Sequence, residues 1–583
     1  MDEYNYDRLA FSLTTGGHFF PGVIFSQPGY PSFLYLVYLI AGRSLDLTWF
    51  LQAGMGALSC GLTFLLGQNI FGRRAGWLSG IILAFYGPAL FYETRLLSAS
   101  AALLVSLLAL VWWLYSPGSR GILSWFAGGI LLGLAGVFAG ANLLFAGSLI
   151  FLWIPWKSRR PPPLYWKEAG VILGFLIILV PFLVRNARQA GSAVALTAHA
   201  GINFYIGNNP EANGGFLIPR YLTPSATGII RDAHRTAEAR LGRTLTPGDA
   251  SRFWFKEGLR FLATSPGTAG RLWLKKISLL ISSREYWDVG GRRIDRARPF
   301  SLFGIPLISF GLIAPFAMVG IYLSARRRRS MVLLYLYLGS QCLAILLYYY
   351  QARARLLIVP VCAIFAAESI RFICRAVREI RIKQVFLSIL LLLAALLITR
   401  AQPFFEMRSE TNLLLARAQA EIARGNLSDA REKVERALDI YPALGGARLV
   451  QGDIARHLGE EQLAEDYYRE EEKRTPLNPE PYLRLSYLFN ARGAPEMAED
   501  EAQRALAIDP ISWEAYSLLA DSYYYRGDEE GELRYSRLAV FLNPNSVKDH
   551  TNLGLHYARK GDPGMAEYHW KQVKKLKKVI SDQ

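Results

Sequence analysis

Residues 385–398 read VFLSILLLLAALLI. The run carries no charge, no Gly and no Pro. About 20 such residues in a helix cross the roughly 30 Å hydrocarbon layer of a bilayer, and with its flanks this run approaches that length. The rest of the chain beyond it differs in kind. Residues 410–583 hold no comparable run and are rich in Glu, Arg, Ala and Tyr. The composition shift is the main boundary in a chain of 583 residues, 52% of them hydrophobic and only 19% charged. An apolar part reads as a membrane domain, and a polar part comes after it.

Working back from that run, ten apolar segments can be marked, at 48–68, 75–92, 97–115, 121–138, 142–156, 168–186, 300–324, 331–350, 355–373 and 384–399. The stretch FAGGILLGLAGVFAGANLLFAGSLIFLWI is too long for one crossing and is expected to break at AGAN. Pro88, Pro181, Pro306, Pro315 and Pro360 interrupt segments, which membrane helices tolerate when neighbours satisfy the freed carbonyls. The net charge of +18 would suggest nucleic acid in a water-soluble chain. Here the basic residues cluster between apolar runs, so nucleic acid is not expected as a partner. NIFGRR (69–74), KSRRPPPLYWK (157–167), ARRRRS (325–330) and RFICRAVREIRIK (371–383) fall on one side if the segments alternate, and the single Arg of SPGSR (116–120) joins them. By the positive-inside rule that side is cytoplasmic.

The expected organisation is then a first outer loop with interfacial helices (1–47), transmembrane helices (48–186), an outer soluble loop domain (187–298), further transmembrane helices (299–400) and a polar tail. The expected location is the cytoplasmic (inner) membrane, multi-pass, with the long loop and the tail on the periplasmic or extracellular side. Residues 1–47 lie outside in this scheme with no leader ahead of them. A first helix upstream of Met1 is therefore expected; export of a short tail by the first hairpin is the alternative. Cys60, Cys342, Cys362 and Cys374 lie in or beside apolar segments without CxxC spacing, so they read as small core residues.

The tail has a strict period. Glycine recurs at Gly425, Gly459, Gly493, Gly527 and Gly561, and proline at Pro442, Pro476, Pro510 and Pro544. Both series step by 34 residues, the period of tetratricopeptide repeats. Five residues after each glycine stand Ala430, Ala464, Ala498, Glu532 and Ala566. Gly should end the first helix of each pair, Ala should allow close packing, and Pro should end the second. Five repeats are expected over 411–578. Such arrays hold a protein or peptide partner, or serve as spacers or self-association modules.

The chain begins MDEYNYDRLAFSL, and its first loop continues through GHFF to QPGYPSFLYLVYLIAG. LFYETRLLSASAALL (90–104), GINFYIGNNPEANGGF (201–216) and QARARLLIVPVCAIFAA (351–367) come next. In this order, ahead of a tetratricopeptide tail, they resemble the dolichyl-phosphate-mannose protein mannosyltransferase-like glycosyltransferases (family 39-like, GT-C fold). The chain departs from that pattern in GVFAGANLLF (136–145), which lacks an Arg that relatives often carry before the Asn. The resemblance implies an all-α, polytopic GT-C bundle followed by an α-solenoid. It also implies transfer of a sugar from a polyprenyl phosphate to an acceptor hydroxyl or amine on the outer face.

Asp2 matches the family's catalytic aspartate. A hydroxyl is a weak nucleophile, so a carboxylate must take its proton. Glu3 could orient Asp2, bind the acceptor, or share a divalent cation (Mg or Mn) with it. The leaving lipid phosphate needs cations beside it. Arg353 and Arg355 lie in a short outer loop, where basic residues are disfavoured, and are the expected phosphate ligands; snorkelling to lipid head groups is the alternative. Glu93 with Arg95 is a second candidate pair, or an ion pair closing a hairpin. Lys275 and Lys276 could contact phosphate or face solvent. His18 is the one histidine of the first loop. Asn208 and Asn209, in GNN, read as a structural turn. No HExxH, Walker loop, GxSxG or Rossmann fingerprint is present, so zinc hydrolysis and cytosolic nucleotide chemistry are not indicated. The competing reading is a non-enzymatic membrane scaffold whose repeats recruit envelope proteins. A transporter ranks third, since the apolar segments carry very few of the midplane charges that transporters use.

Overall fold

The computed structural model describes most of the chain; residues 15–26, 116–120, 151–164, 191–196, 284–300 and 401–413 are the main stretches outside the description. The chain forms two compact units, one of Met1–Leu217 with Ala233–Pro403, the other of Ile218–Asp232 with Phe404–Gln583. Both are helical. A two-residue hairpin, Ser301–Leu302 against Ile305–Pro306, is the one regular sheet among the described residues.

In the first unit, three described helices are long and apolar enough to cross a membrane by length and composition: Leu45–Phe71, Glu168–Arg188 and Ile382–Arg400. Gly29–Ala41, Ala99–Tyr115, Ile122–Phe138, Phe310–Ser324 and Met331–Leu347 are apolar but shorter. Leu173, Ile177, Phe386, Leu390 and Leu397 face outward, which suits a hydrocarbon solvent rather than water. Close helix packing rests on small residues. A Cβ on Gly129 would collide with the Val171 carbonyl, and one on Gly174 with that of Phe126. Gly129 and Gly133 thus pack on Val171, Phe175 and Ile178, and Gly170 and Gly174 on Ile122, Phe126 and Ile130, in small-xxx-small ridges that let two backbones touch.

The segment boundaries shift where proline and turn chemistry outweigh hydropathy. The expected 75–92 crossing is two helices, Arg73–Ala84 and Gly87–Glu93, because Pro88 opens a new helix at its first turn. The expected 300–324 crossing becomes helical only at Phe310. The expected 355–373 segment starts its long helix at Val359, with Pro360 in the first turn, and runs to Arg378. The AGAN break lies where the residues put it: one helix ends at Phe138 and the next begins at Ala141.

The second unit is a tetratricopeptide array. Its helices alternate as Ala447–His457 and Glu461–Arg474, Pro479–Ala491 and Pro495–Ile508, Trp513–Tyr525 and Glu529–Leu542, and Val547–Arg559 and Pro563–Ser581. Leu427–Ile440 ends an earlier pair. The five period glycines all take φ between +74 and +81°, a left-handed turn that other residues adopt at a cost. N-caps recur with the same period: Asn478, Ser512 and Ser546 each accept a hydrogen bond from a backbone N–H of the first turn. Ala430, Ala464 and Ala498 are fully buried between paired helices. Glu532 takes this place in the fourth repeat. It is buried, with both oxygens 3.1 Å from the Arg559 guanidinium and His556 Nδ1 at 3.7 Å.

The last repeat buries two histidines against each other, with His550 Nδ1 2.8 Å from His569 Nδ1. His550 Nε2 lies 3.0 Å from the Pro544 carbonyl. A carbonyl only accepts, so the neutral His550 ring carries its proton on Nε2, and the bare Nδ1 accepts from His569. His569 stacks on Tyr557, whose hydroxyl accepts from Arg537. Burial first, then the nearness of His550 and of the Arg537 guanidinium, push the His569 pKa down. A depressed pKa means that the unfolded chain binds more protons. This stability is full above the ordinary histidine value of about 6.5 and is lost as pH falls below it. Thermal unfolding of the tail should thus shift to lower temperature between pH 7.5 and 5. His569→Phe, which keeps the stacking but cannot charge, should show a smaller shift; an equal shift would refute the role of the pair.

Candidate functional site

The apolar unit gathers polar side chains at two places. The first is built on the opening helix, Asp2–Thr14. Asp7 accepts from Tyr38 Oη (2.7 Å) and from Arg43 Nε and Nη2 (3.0 and 2.6 Å), which ties this helix to Gly29–Ala41 and its following turn. One turn after Asp2, Tyr6 meets the Tyr30 ring edge-on at 5.4 Å. The Tyr30 hydroxyl donates to Gln52 Oε1. Gln52, buried on Leu45–Phe71, donates its amide to the carbonyls of Glu93 (2.7 Å) and Arg95 (2.9 Å). A single amide thereby clamps the turn that carries both charged side chains.

Glu93 itself leans over Gly56, where any Cβ would collide with its carboxylate. Half-buried in the turn between two helices, it has its pKa pushed by burial up to about 7. Such a carboxylate exchanges a proton at neutral pH, as a general acid or base must. The Arg95 guanidinium stacks 4.9 Å from the Phe91 ring centroid. Asp2 and Glu3 open the first helix, and their side chains lie outside the described ones; His18 lies outside the described residues. Among the described residues no group of three His, Cys, Asp or Glu could hold a metal; the divalent-cation expectation concerns Asp2 and Glu3.

The second place gathers the cations. Arg355 is fully buried, its Cζ 4.3 Å from the Phe310 ring centroid and 5.4 Å from that of Tyr350, and its Nη1 donates to the Ser282 carbonyl (2.9 Å). Arg353 is half-buried, with Nε donating to Gln351 Oε1 at 3.3 Å. Of the two, Arg353 is the one more open to a ligand. Lys275 is exposed, whereas its neighbour Lys276 is fully buried. Lys276 Nζ donates to Asn208 Oδ1 (3.1 Å) and to the Leu346 carbonyl (2.9 Å). Asn208 in turn donates to the carbonyls of Phe204 and Leu347. The GNN turn is thus structural: it closes the end of Arg328–Leu347 and carries the acceptor for Lys276.

Burial lowers the Lys276 pKa to about 7. The nearby helix C-terminus favours a charge by only about 0.3–2 kcal/mol, less than the several kcal/mol of desolvating an ion. A neutral amine has two hydrogens, which match the two acceptors. The two places are linked through the backbone. Gly87 donates to the Ile308 carbonyl (3.0 Å) and Ile308 to that of Phe85 (2.8 Å). This bridge ties the start of the Glu93 helix to the segment that leads into Phe310, beneath Arg355. Gln52 and Lys276 are the residues that sequence reasoning underrated. Both are polar side chains inside apolar helical faces, and that is the signal that could have found them.

No protein-family model matches the chain, and no curated protein does. Among solved structures it is similar to MamA from Desulfovibrio magneticus RS-1, at 22% identity over 30% of this chain and 98% of that one, with a TM-score of 0.25. It is also similar to PilW, a widely conserved type IV pilus biogenesis factor (19%, 29% and 78%, TM-score 0.27). A third is a thermophilic tetratricopeptide protein of Thermus thermophilus (19%, 28% and 91%, TM-score 0.27).

Proposed function

We propose that the chain is an integral-membrane glycosyltransferase of the GT-C type, located in the cytoplasmic membrane, which moves a sugar from a polyprenyl phosphate to an acceptor on the outer face. The observation that carries this reading is Glu93, a half-buried carboxylate seated over Gly56 in a turn that the Gln52 amide clamps, within an apolar helical unit. In the proposed reaction the bond between the anomeric carbon and the phosphate oxygen breaks, and polyprenyl phosphate leaves with the electron pair. The acceptor oxygen or nitrogen forms the new bond. Its proton goes to Asp2, the base that the family resemblance points to, while ionised Glu93 orients the acceptor by accepting a hydrogen bond. Arg353 offers charge to the leaving phosphate, and Arg355 and Lys276 support its surroundings. If a divalent cation takes part, Asp2 and Glu3 would hold it and it would offset phosphate charge.

A scaffold reading draws on the five-repeat tail, a module that commonly recruits protein or peptide partners. A donor assay separates the two. The full chain in lipid nanodiscs, given radiolabelled polyprenyl-phosphate hexoses and an envelope extract, should release polyprenyl phosphate and label an acceptor. Intact donor across all hexoses would leave the scaffold.

A further inference from the structure

The helix Pro266–Ile281 has three distinct sides. Leu272, Lys276, Leu279 and Leu280 are buried. Next around the helix come Trp273, Ile277 and Leu274, the last 67% exposed. Beyond them lie Arg271 and Lys275, also exposed. At 3.6 residues per turn this order is core, apolar face, basic edge.

The helix is pinned at a defined height. Lys276 bonds the Leu346 carbonyl, at the end of Arg328–Leu347. Just past the helix, Ser283 N–H donates to the Thr399 carbonyl (2.9 Å), at the end of Ile382–Arg400. Two apolar helices therefore end where this one passes, and an apolar helix that crosses a bilayer ends at the head groups. A helix at that level with an exposed Trp–Leu–Ile face and a basic edge has the composition of an interfacial helix.

We infer that Pro266–Ile281 lies in the head-group layer of the bilayer, with Trp273, Leu274 and Ile277 in the acyl boundary and Arg271 and Lys275 toward lipid phosphates. The inference rests on the membrane reading above. It has a mechanical use: the buried side of the same helix carries Lys276, so lipid contact on one side would fix the height of the Lys276–Asn208 bond on the other.

Nitroxide scanning tests it. In the full chain with its four cysteines replaced, in phosphatidylcholine–phosphatidylglycerol nanodiscs, Leu274→Cys, Lys275→Cys and Leu390→Cys are labelled one at a time. All three side chains are exposed, so labelling spares the core; gel filtration checks the fold. Oxygen should relax the Leu274 label severalfold more than a water-soluble nickel chelate does, with the reverse at Lys275. A Leu274 label in water, beside a Leu390 label in lipid, overturns the interfacial helix and leaves the membrane reading standing. A Leu390 label in water overturns both. A Leu274 label shielded from both reagents means that protein covers this face, and also overturns the inference.

Discussion

Glu93→Gln should lower sugar transfer about 10²-fold and remove its dependence on pH near 7, whereas Asp2→Asn should lower it about 10²- to 10⁴-fold at every pH. The distinction follows from the surroundings of Glu93. Its carboxyl titrates at about 7 because burial over Gly56 disfavours its charge. Wild-type transfer should therefore rise as pH passes through 7 and level off above it, as Glu93 ionises and its hydrogen bond from the acceptor strengthens. The amide of Glu93→Gln keeps the shape but has no proton to lose, so that rise should vanish. Asp2→Asn keeps Glu93, so the midpoint should persist at a much lower plateau. The measurement is initial rate against pH from 5.5 to 9 in nanodiscs. An unchanged midpoint in Glu93→Gln removes Glu93 from the site, and undiminished transfer in Asp2→Asn removes the base.

Lys276→Met should flatten the rise of stability with pH between about 7 and 10. The Lys276 pKa drops from 10.5 to about 7 in the folded chain. Across that window the unfolded chain holds more protons, so wild-type stability increases with pH; below 7 the folded chain must keep a buried ammonium. A shift of this size corresponds to on the order of 5 kcal/mol. The substitution also leaves Asn208 Oδ1 and the Leu346 carbonyl without their donor, at about 1–3 kcal/mol each, but that loss is the same at every pH. Unfolding midpoints of the apolar unit from pH 7.5 to 10 should climb for the wild type and stay level for the variant. Parallel curves would mean that Lys276 is charged throughout.

The tail was legible from the residues alone because one short unit is repeated under the same constraints. Gly must turn left-handed, Ala must fit between helices, and each is seen five or four times over. The apolar part was legible only in outline. Hydropathy finds greasy runs but is blind to where backbone geometry cuts them, so Pro88 and the start at Phe310 moved the boundaries. The site was harder still. Its chemistry depends on which turn a distant amide clamps, and Gln52 lies 41 residues from the Glu93 carbonyl that it holds. Nothing local in the sequence announces such a partner. Lys276 was visible beside Lys275, but only packing decides which of two adjacent lysines turns inward.

Within the array each helix pair packs on the pairs beside it. Removing or duplicating a block of 34 residues keeps every glycine turn, every cap and every packing ridge in step, while removing half that length would break them all. The array can thus gain or lose reach by whole steps of one ruler, and relatives that differ in tail length by multiples of 34 would be the natural trace of that freedom.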